Sequence, residues 1–110
     1  MSSINFQGNN DASTPEQVQF AEVEASIVDA SDTTEDGKLD LKVQSAGTLT
    51  SMAAITAANV TLGSRPIIPT HTPASASATG TAGEIAWDAS YLYVCTATDT
   101  WKRVALSTWT

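Results

Sequence analysis

The sequence predicts an all-β protein of short antiparallel strands and hairpins, and two observations lead to this fold class. Across Lys38–Gln44, the apolar residues Leu39, Leu41 and Val43 alternate with polar ones without an error, which is the period of a strand with one covered face. Near the C terminus, short apolar runs rich in Val, Ile, Tyr and Trp are separated by Asp, Ser and Thr turns, a pattern typical of a β-meander. These runs are Glu84–Trp87, Tyr91–Thr96 and Trp101–Leu106.

The segment Gln17–Val28 predicts the first long strand. From Ala21 onwards, small or apolar residues alternate with Glu and Ser. Val18 and Phe20 have the opposite parity. Either a β-bulge near Ala21 or a strand that begins at Ala21 would account for this change.

A hairpin is predicted between this segment and the alternating strand that follows it. The connecting loop Asp29–Gly37 ends in Asp-Gly, a pair that tolerates the positive φ of a hairpin turn. Antiparallel pairing would place Lys38 and Lys42 on the same face as Glu22 and Glu24. Opposite charges across a strand pair stabilise it and help to set its register.

Composition divides the chain into three predicted parts. Residues 1–64 form an acidic, hairpin-rich lobe, in which Thr48–Ile55 is predicted as a strand or irregular chain and Asn59–Leu62 as a short strand. Residues 65–83 contain three prolines and the run ASASATGTAG, which predicts an extended Pro/Ala/Ser/Thr/Gly connector between two small lobes. Residues 84–110 form an aromatic lobe, the β-meander. Its middle strand is apolar on both faces, so we expect one of its covers to come from another subunit.

The charge pattern disfavours nucleic acid as a partner. The formal net charge is −7, and an acidic chain repels phosphate backbones. No apolar run approaches the ~20 residues needed to span a bilayer, so no membrane insertion is expected. The N-terminal residues have neither the basic start nor the apolar core of a signal peptide.

Catalytic and metal-binding constellations are sparse. The single histidine, His71, lies in the proline-rich connector with no acid near it in sequence, which argues against a Ser-His-Asp triad. His71 and the single Cys95 cannot supply three of the nitrogen and sulfur ligands that zinc usually takes. We interpret Cys95 as a buried small hydrophobe. The sequence therefore predicts a non-enzymatic protein with no cofactor and no metal site.

Two weaker alternatives rest on the acidic residues. The acidic positions of the hairpin loop do not match the spacing of an EF-hand loop, so a solvated loop is preferred over calcium binding; they are Asp29, Asp32, Glu35 and Asp36. Twelve acids would also suffice for a carboxylate pair of the kind that hydrolyses glycosides, but no sequence feature pairs a buried acid with an exposed one.

The aromatic residues of the C-terminal lobe are the candidate contact residues. Flat aromatic faces with polar edges suit stacking on sugar rings, but a core or a subunit interface is the preferred interpretation of them. We therefore treat five residues as candidate subunit or glycan contacts: Trp87, Tyr91, Tyr93, Trp101 and Trp109.

The C-terminal run TPASASATGTAGEIAWDASYLYVCTATDTWKRVALSTW resembles a module near the C termini of tailed-bacteriophage structural and tail-fibre proteins, especially those of cyanophages and other marine phages. Its most specific part is TAGEIAWD…YVC…TWKR. The upstream half is similar to the fibre segment that often precedes this module, with "EDG" before an alternating strand and "AGTLTSM" after it.

This resemblance implies a virion structural protein, most simply a short tail fibre or spike that contributes to host attachment as an intertwined homotrimer. A capsid decoration or cement protein is the alternative within the same class, and a carbohydrate-binding module for host surface glycan is the alternative from another class. The implied partners are further copies of the chain, other virion proteins and host surface polysaccharide. The implied location is the virion, at the tail or the capsid surface, after assembly in the host cytoplasm.

Overall fold

The computed structural model describes all residues of the chain, 1–110, and it confirms the predicted all-β class. It contains eight strands: β1 (Ser2–Asn9), β2 (Gln17–Asp29), β3 (Asp36–Ser45), β4 (Thr48–Thr56), β5 (Val60–Leu62), β6 (Ile85–Trp87), β7 (Tyr91–Ala97) and β8 (Thr100–Ala105). No helix of the structure has the length and apolarity needed to cross a membrane.

The chain divides into two compact units, residues 1–66 and residues 67–110. The first unit is a five-stranded antiparallel sheet in the order β1-β2-β3-β4-β5, and the second contains the three-stranded antiparallel sheet β6-β7-β8. The three-part division predicted from composition stays a prediction. Residues 67–83 form no strand and belong to the second unit.

The predicted hairpin is the centre of the first sheet. Strands β2 and β3 pair antiparallel with Val23 opposite Leu41 and Glu22 opposite Lys42. Strand β2 begins at Gln17 rather than at Ala21. The predicted bulge is confirmed, because the register against β1 shifts between Phe6 and Gln7 and leaves Phe20 without a partner.

A second bulge interrupts the pairing of β3 with β4. Leu41 lies opposite Ala53 and Lys42 opposite Ser51, so that Met52 has no partner on β3. The extra residue lets Ser51 point to the polar side of the sheet, where its hydroxyl donates a hydrogen bond to Asp40. Bulges of this kind redirect side chains that strict alternation would place on the other face.

The polar face of the sheet is closed by its own charged side chains. Lys42 Nζ lies 3.0 Å from Glu24 Oε2 and 3.4 Å from Glu22 Oε2, as the sequence predicted. Hydrogen bonding to Glu24, and then to Glu22, raises the pKa of Lys42 above its usual value. Lys38 shares this face and pairs with Asp40 at 3.1 Å instead. These contacts cover the face without a second layer.

The apolar face of the same sheet is the more exposed one. Leu41 is 38% exposed, whereas Asp40 beside it on the opposite face is only 4% exposed. The exposed apolar side chains on this face come from every strand of the sheet: Ile4, Phe6, Ile27, Leu39, Leu41, Val43, Ile55, Val60 and Leu62. An apolar sheet face ordinarily packs against another layer, and no second layer covers it within residues 1–66.

The second unit has its core on one face of β6-β7-β8. Its buried residues are Ala86, Tyr93, Cys95 and Trp101, with Ala78 and Tyr91 packed against them. Cys95 is the most deeply buried side chain, which confirms its interpretation as a small core residue. Part of this cover comes from residues 67–83, because Pro73 is buried and Ala78 joins the core.

Candidate functional site

The candidate site lies where residues 67–83 cross the three-stranded sheet. Alternation along β7 places Tyr91, Tyr93 and Cys95 on the covered face and Leu92 and Val94 on the other. The register of β8 adds two further residues to the covered face, since Trp101 lies opposite Cys95 and Arg103 opposite Tyr93.

Hydrogen bonds fasten residues 67–83 to both edges of the sheet. At the β6 edge, the His71 amide donates to the Trp87 carbonyl at 3.0 Å, and Trp87 Nε1 donates to the Ile68 carbonyl at 2.7 Å. At the β8 edge, the Trp101 amide donates to the Ala76 carbonyl at 2.9 Å. The segment expected to be a connector therefore contributes part of the wall of the site.

Gly80 allows this segment to approach the indole of Trp101. A Cβ atom at position 80 would lie 2.7 Å from Trp101 Nε1 and 2.8 Å from two further ring atoms, closer than van der Waals contact permits. The same indole nitrogen donates to the Ala78 carbonyl at 3.1 Å. Trp101 is thus held in one position by a close backbone contact and a hydrogen bond.

Asp88 organises the turn between β6 and β7. Its Oδ1 accepts hydrogen bonds from the backbone amides of Ser90 (2.8 Å) and Tyr91 (2.9 Å). Its Oδ2 accepts from the hydroxyls of Tyr93 (2.7 Å) and Thr72 (2.8 Å). Through these four bonds, one carboxylate ties the turn, the sheet and the crossing segment together.

These hydrogen bonds stabilise Asp88 as a carboxylate and Tyr93 as a neutral phenol. The Tyr93 hydroxyl, followed by the Ser90 amide, holds the pKa of Asp88 well below its usual range. The hydrogen bond to Asp88 is also the main reason why the pKa of Tyr93 is raised, and the nearby Arg103 opposes that rise.

Arg103 lies on the same face beside the two tyrosines. The central guanidinium carbon is 4.0 Å from the centre of the Tyr91 ring, a distance typical of a cation–π contact. The Tyr91 and Tyr93 rings are tilted by 53° with centroids 5.9 Å apart. Arg103 also lies across from Thr72–Ala76 of the crossing segment.

A groove of about 440 Å³ runs between the crossing segment and the edge strand β8. It is lined by Thr72–Ala76 on one side and by Tyr93 and Trp101–Arg103 on the other. The lining combines aromatic rings, small apolar residues, hydroxyl groups and the Arg103 cation. Small-ligand sites have this mixed character and volumes of roughly 300–1,000 Å³.

The five aromatic residues singled out from the sequence occupy different environments. Tyr93 and Trp101 are 5% and 6% exposed and belong to the core, while Tyr91 is half-buried under Arg103. Trp87 is 37% exposed and Trp109 is 92% exposed. The structure brings Tyr91, Tyr93 and Trp101 together in and beside the core of the second unit, and Tyr93 and Trp101 also line the groove, whereas Trp87 and Trp109 do not. Whether any of the five contacts a subunit or a glycan stays a prediction.

Sequence reasoning missed the residues that build the site around these aromatics. Thr72 and Gly80 fall in the segment expected to be a connector. For Arg103, the sequence pattern predicts only a position in the last strand. The run Asp88-Ala89-Ser90 did carry a usable signal, since Asp at the start of a turn commonly accepts hydrogen bonds from the following amides. No short-range signal indicates that Tyr93 and Thr72 share the same carboxylate.

Several acids outside this site form ion pairs or turn hydrogen bonds, and the acids are not grouped as metal ligands. No group of three or more His, Cys, Asp or Glu side chains is placed to hold a metal ion. In the acidic hairpin loop, Asp29 accepts hydrogen bonds from the Ser31 amide at 2.8 Å and the Thr34 hydroxyl at 3.5 Å. The backbone hydrogen bond from Ser31 lowers the pKa of Asp29.

The chain is similar over part of its length to two phage proteins. One is "Depolymerase, capsule K30/K69-specific" of Klebsiella phage K64-1, 54% identical over 37 residues, which are 34% of this chain and 5% of that protein. The other is "Depolymerase 1, capsule K30/K69-specific" of Klebsiella phage K5-2, 64% identical over 36 residues, which are 33% of this chain and 4% of that protein. The matched segments thus span about a twentieth of these relatives. No protein-family model and no solved structure matches the chain.

These matches change two of the predictions. They support a bacteriophage protein, as the resemblance implied, but not one of cyanophages in particular. The prediction of a non-enzymatic protein is contradicted, because both relatives are named depolymerases and depolymerases are enzymes. The prediction rested on motifs within this chain alone, whereas the enzymatic names belong to relatives of which the matched segments span about a twentieth.

Proposed function

We propose that the chain is part of a phage tail spike that attaches the virion to encapsulated bacteria and takes part in the degradation of their capsular polysaccharide. The observation that carries this proposal is the similarity to two capsule depolymerases over about a third of the chain. The all-β fold agrees with it, since strands rich in small residues suit an elongated virion component. Host attachment and capsule degradation are then two steps of the same encounter.

The second unit supports a role in polysaccharide recognition. The groove between Thr72–Ala76 and β8 presents hydroxyl groups, the edges of two aromatic rings and a cation. Trp87 and Trp109 add aromatic surface that is open to solvent. Aromatic faces and polar edges are the chemistry by which proteins bind sugar rings.

The first unit supports assembly of the spike as a homotrimer. Its sheet buries the charged face through ion pairs and exposes the apolar face, with Leu39 and Leu41 both 38% exposed. The open face of β6-β7-β8, with Leu92, Val94 and Val104, is likewise exposed. Each unit then has one exposed sheet face that intertwined copies of the chain would cover, as short fibres with small cores commonly require.

Binding of the labelled full chain to Klebsiella cells of a K30 or K69 capsule type, compared with isogenic cells without capsule, tests the proposal. We expect labelling of the encapsulated cells and background labelling of the others. Equal labelling of both, or of neither, would contradict a capsule-directed role. Release of new reducing ends from the purified polysaccharide reports separately on cleavage.

Immunogold labelling of intact virions distinguishes the tail spike from the capsid decoration protein. Gold at the tail tip supports the proposal, and gold over the capsid surface supports the alternative. The two locations are far enough apart on a tailed particle to be resolved directly.

A further inference from the structure

Arg103 is a cation without a carboxylate partner in a chain that otherwise has a large excess of acids. The ion pairs of the protein involve only Lys38 and Lys42, both in the first unit. Asp88, the carboxylate bonded to the neighbouring Tyr93, already accepts four hydrogen bonds from Thr72, Ser90, Tyr91 and Tyr93. Arg103 therefore keeps its positive charge uncompensated.

The position of Arg103 makes this charge available to a ligand. Its side chain is exposed and its guanidinium is held over the Tyr91 ring at 4.0 Å. It lines the same groove as Thr72, Ser75 and Trp101. A guanidinium fixed by stacking loses less conformational freedom when it binds an anion.

From this arrangement we infer that the groove binds the carboxylate of an acidic sugar, with Arg103 as the anion-binding residue. The inference rests on the proposed function and gives its substrate class: an anionic polysaccharide that contains uronic acid residues. A planar carboxylate suits the fork of a guanidinium, which can donate two parallel hydrogen bonds to it. Thr72 and Ser75 line the opposite wall and add hydroxyl groups that can accept hydrogen bonds from a sugar, and Trp101 and Tyr93 add aromatic rings to the lining.

Arg65 provides a matched control. It carries the same guanidinium on an exposed position of the first unit, and it does not line the groove. Loss of charge at position 65 therefore changes the net charge of the chain equally while leaving the groove cation in place.

The test is titration of the full chain with trigalacturonate and with the neutral trisaccharide maltotriose, followed by amide NMR shifts. We expect trigalacturonate to shift the amides of Thr72, Ala74–Ala76 and Trp101–Arg103, and maltotriose to bind at least about tenfold more weakly, since charge-assisted bonds are the stronger ones. Arg103→Gln should lower the trigalacturonate affinity by about tenfold, Arg103→Lys by less, and Arg65→Gln by no more than about twofold.

Three results would overturn the inference: equal binding of the two trisaccharides, no binding of trigalacturonate, or equal effects of Arg103→Gln and Arg65→Gln. Unchanged amide spectra outside the groove show that the variants are folded. The outcome is separable from that of the proposed function. If trigalacturonate binds and capsule is not recognised, the proposed function fails and the acidic-sugar site stands; if capsule is recognised while both trisaccharides bind equally, the reverse holds.

Discussion

The hydroxyl of Tyr93 donates a 2.7 Å hydrogen bond to Asp88 Oδ2, and the same oxygen accepts a 2.8 Å bond from Thr72. Tyr93 belongs to the middle strand, Asp88 to the turn before it, and Thr72 to the segment that crosses the sheet. A single carboxylate oxygen thus connects the core of the second unit with the wall of the groove. Loss of these hydrogen bonds should therefore disturb the residues that line the groove more than it disturbs the three-stranded sheet.

Substitution of Tyr93 by Phe tests this connection. Tyr93→Phe removes one hydrogen bond from Asp88 while the ring remains in the core, so we expect a Tm lower by several degrees and broadened amide signals from Thr72–Ala76. Tyr91→Phe is the control, because it removes the same atom from the neighbouring tyrosine, whose hydroxyl is not bonded to Asp88. Equal effects of the two substitutions on these signals would contradict the role given to Asp88.

The Tyr93 pKa also predicts the response of the second unit to alkaline pH. Because the folded-state pKa is raised, this phenol contributes stability that is fully present below about pH 10, the ordinary tyrosine value, and is lost as pH rises through the higher folded pKa. The free energy of unfolding of the wild type should therefore fall as the pH rises above about 10. In Tyr93→Phe, the free energy of unfolding should change less over the same pH range. A profile that is unchanged in the variant would contradict the prediction.

The bond between Ser51 and Asp40 predicts an acid dependence for the first unit. The Ser51 hydroxyl and, less strongly, Lys38 lower the pKa of the buried Asp40. This contribution is present above the ordinary value of 3.8 and is lost as pH falls through the lower folded pKa. Ser51→Ala should lower the free energy of unfolding by about 1–3 kcal/mol at neutral pH and by less at low pH. Denaturant unfolding measures both values.

The exposed Ser45→Ala is the control for the acid dependence. It lies on the neighbouring strand β3 and removes the same hydroxyl group without touching Asp40. If Ser51→Ala lowered the free energy of unfolding by the same amount at neutral and at acid pH, the substitution would be acting through packing and not through the Asp40 carboxylate.

Gly80→Ala should disturb the second unit through steric overlap with Trp101. The added Cβ would lie 2.7 Å from the indole nitrogen, and overpacking of this kind typically costs about 1–3 kcal/mol. Trp fluorescence should report the displaced ring, and thermal unfolding the loss of stability. The exposed neighbour Thr79→Ala serves as control. If Gly80→Ala were as stable as Thr79→Ala, residues 67–83 could move away from the Trp101 indole without a loss of stability, which would contradict the prediction.

Leu41→Glu should dissociate the proposed homotrimer. The substitution places a charge on the exposed apolar face of the first sheet, where burial against another copy would desolvate it. Sedimentation should show the wild type at three times the 11.5 kDa chain mass and the variant at a lower mass. Gln44→Glu adds the same charge on the same strand but on the opposite face, and should leave the mass unchanged. A monomeric wild type would contradict the homotrimer outright.

The strands could be predicted from the sequence because their signals are local. The period of two in Leu39, Leu41 and Val43 and the parity change at Phe20 each reflect the pairing of adjacent strands, and both were correct. The turn residues between the C-terminal runs predict the bounds of β6, β7 and β8 to within two residues. Local pattern sufficed wherever neighbouring strands pair with one another.

The site could not be predicted because it depends on a segment without a pattern. Residues 67–83 have no alternation, and their small side chains suggested a connector. Their position is fixed instead by backbone hydrogen bonds at His71 and Ala76 and by the contact of Gly80 with Trp101. Such contacts are set by the tertiary fold, and side-chain periodicity does not encode them.

The most direct test of the proposed function uses virions that carry this protein and purified capsular polysaccharide of the K30 or K69 type. The polysaccharide chain length is followed by viscosity, with and without a saturating Fab fragment raised against the groove of the second unit. We predict that the virions shorten the polysaccharide and that the Fab slows this reaction severalfold, whereas a Fab of unrelated specificity does not. Polysaccharide that keeps its length, or shortens equally fast with the groove covered, would contradict the account.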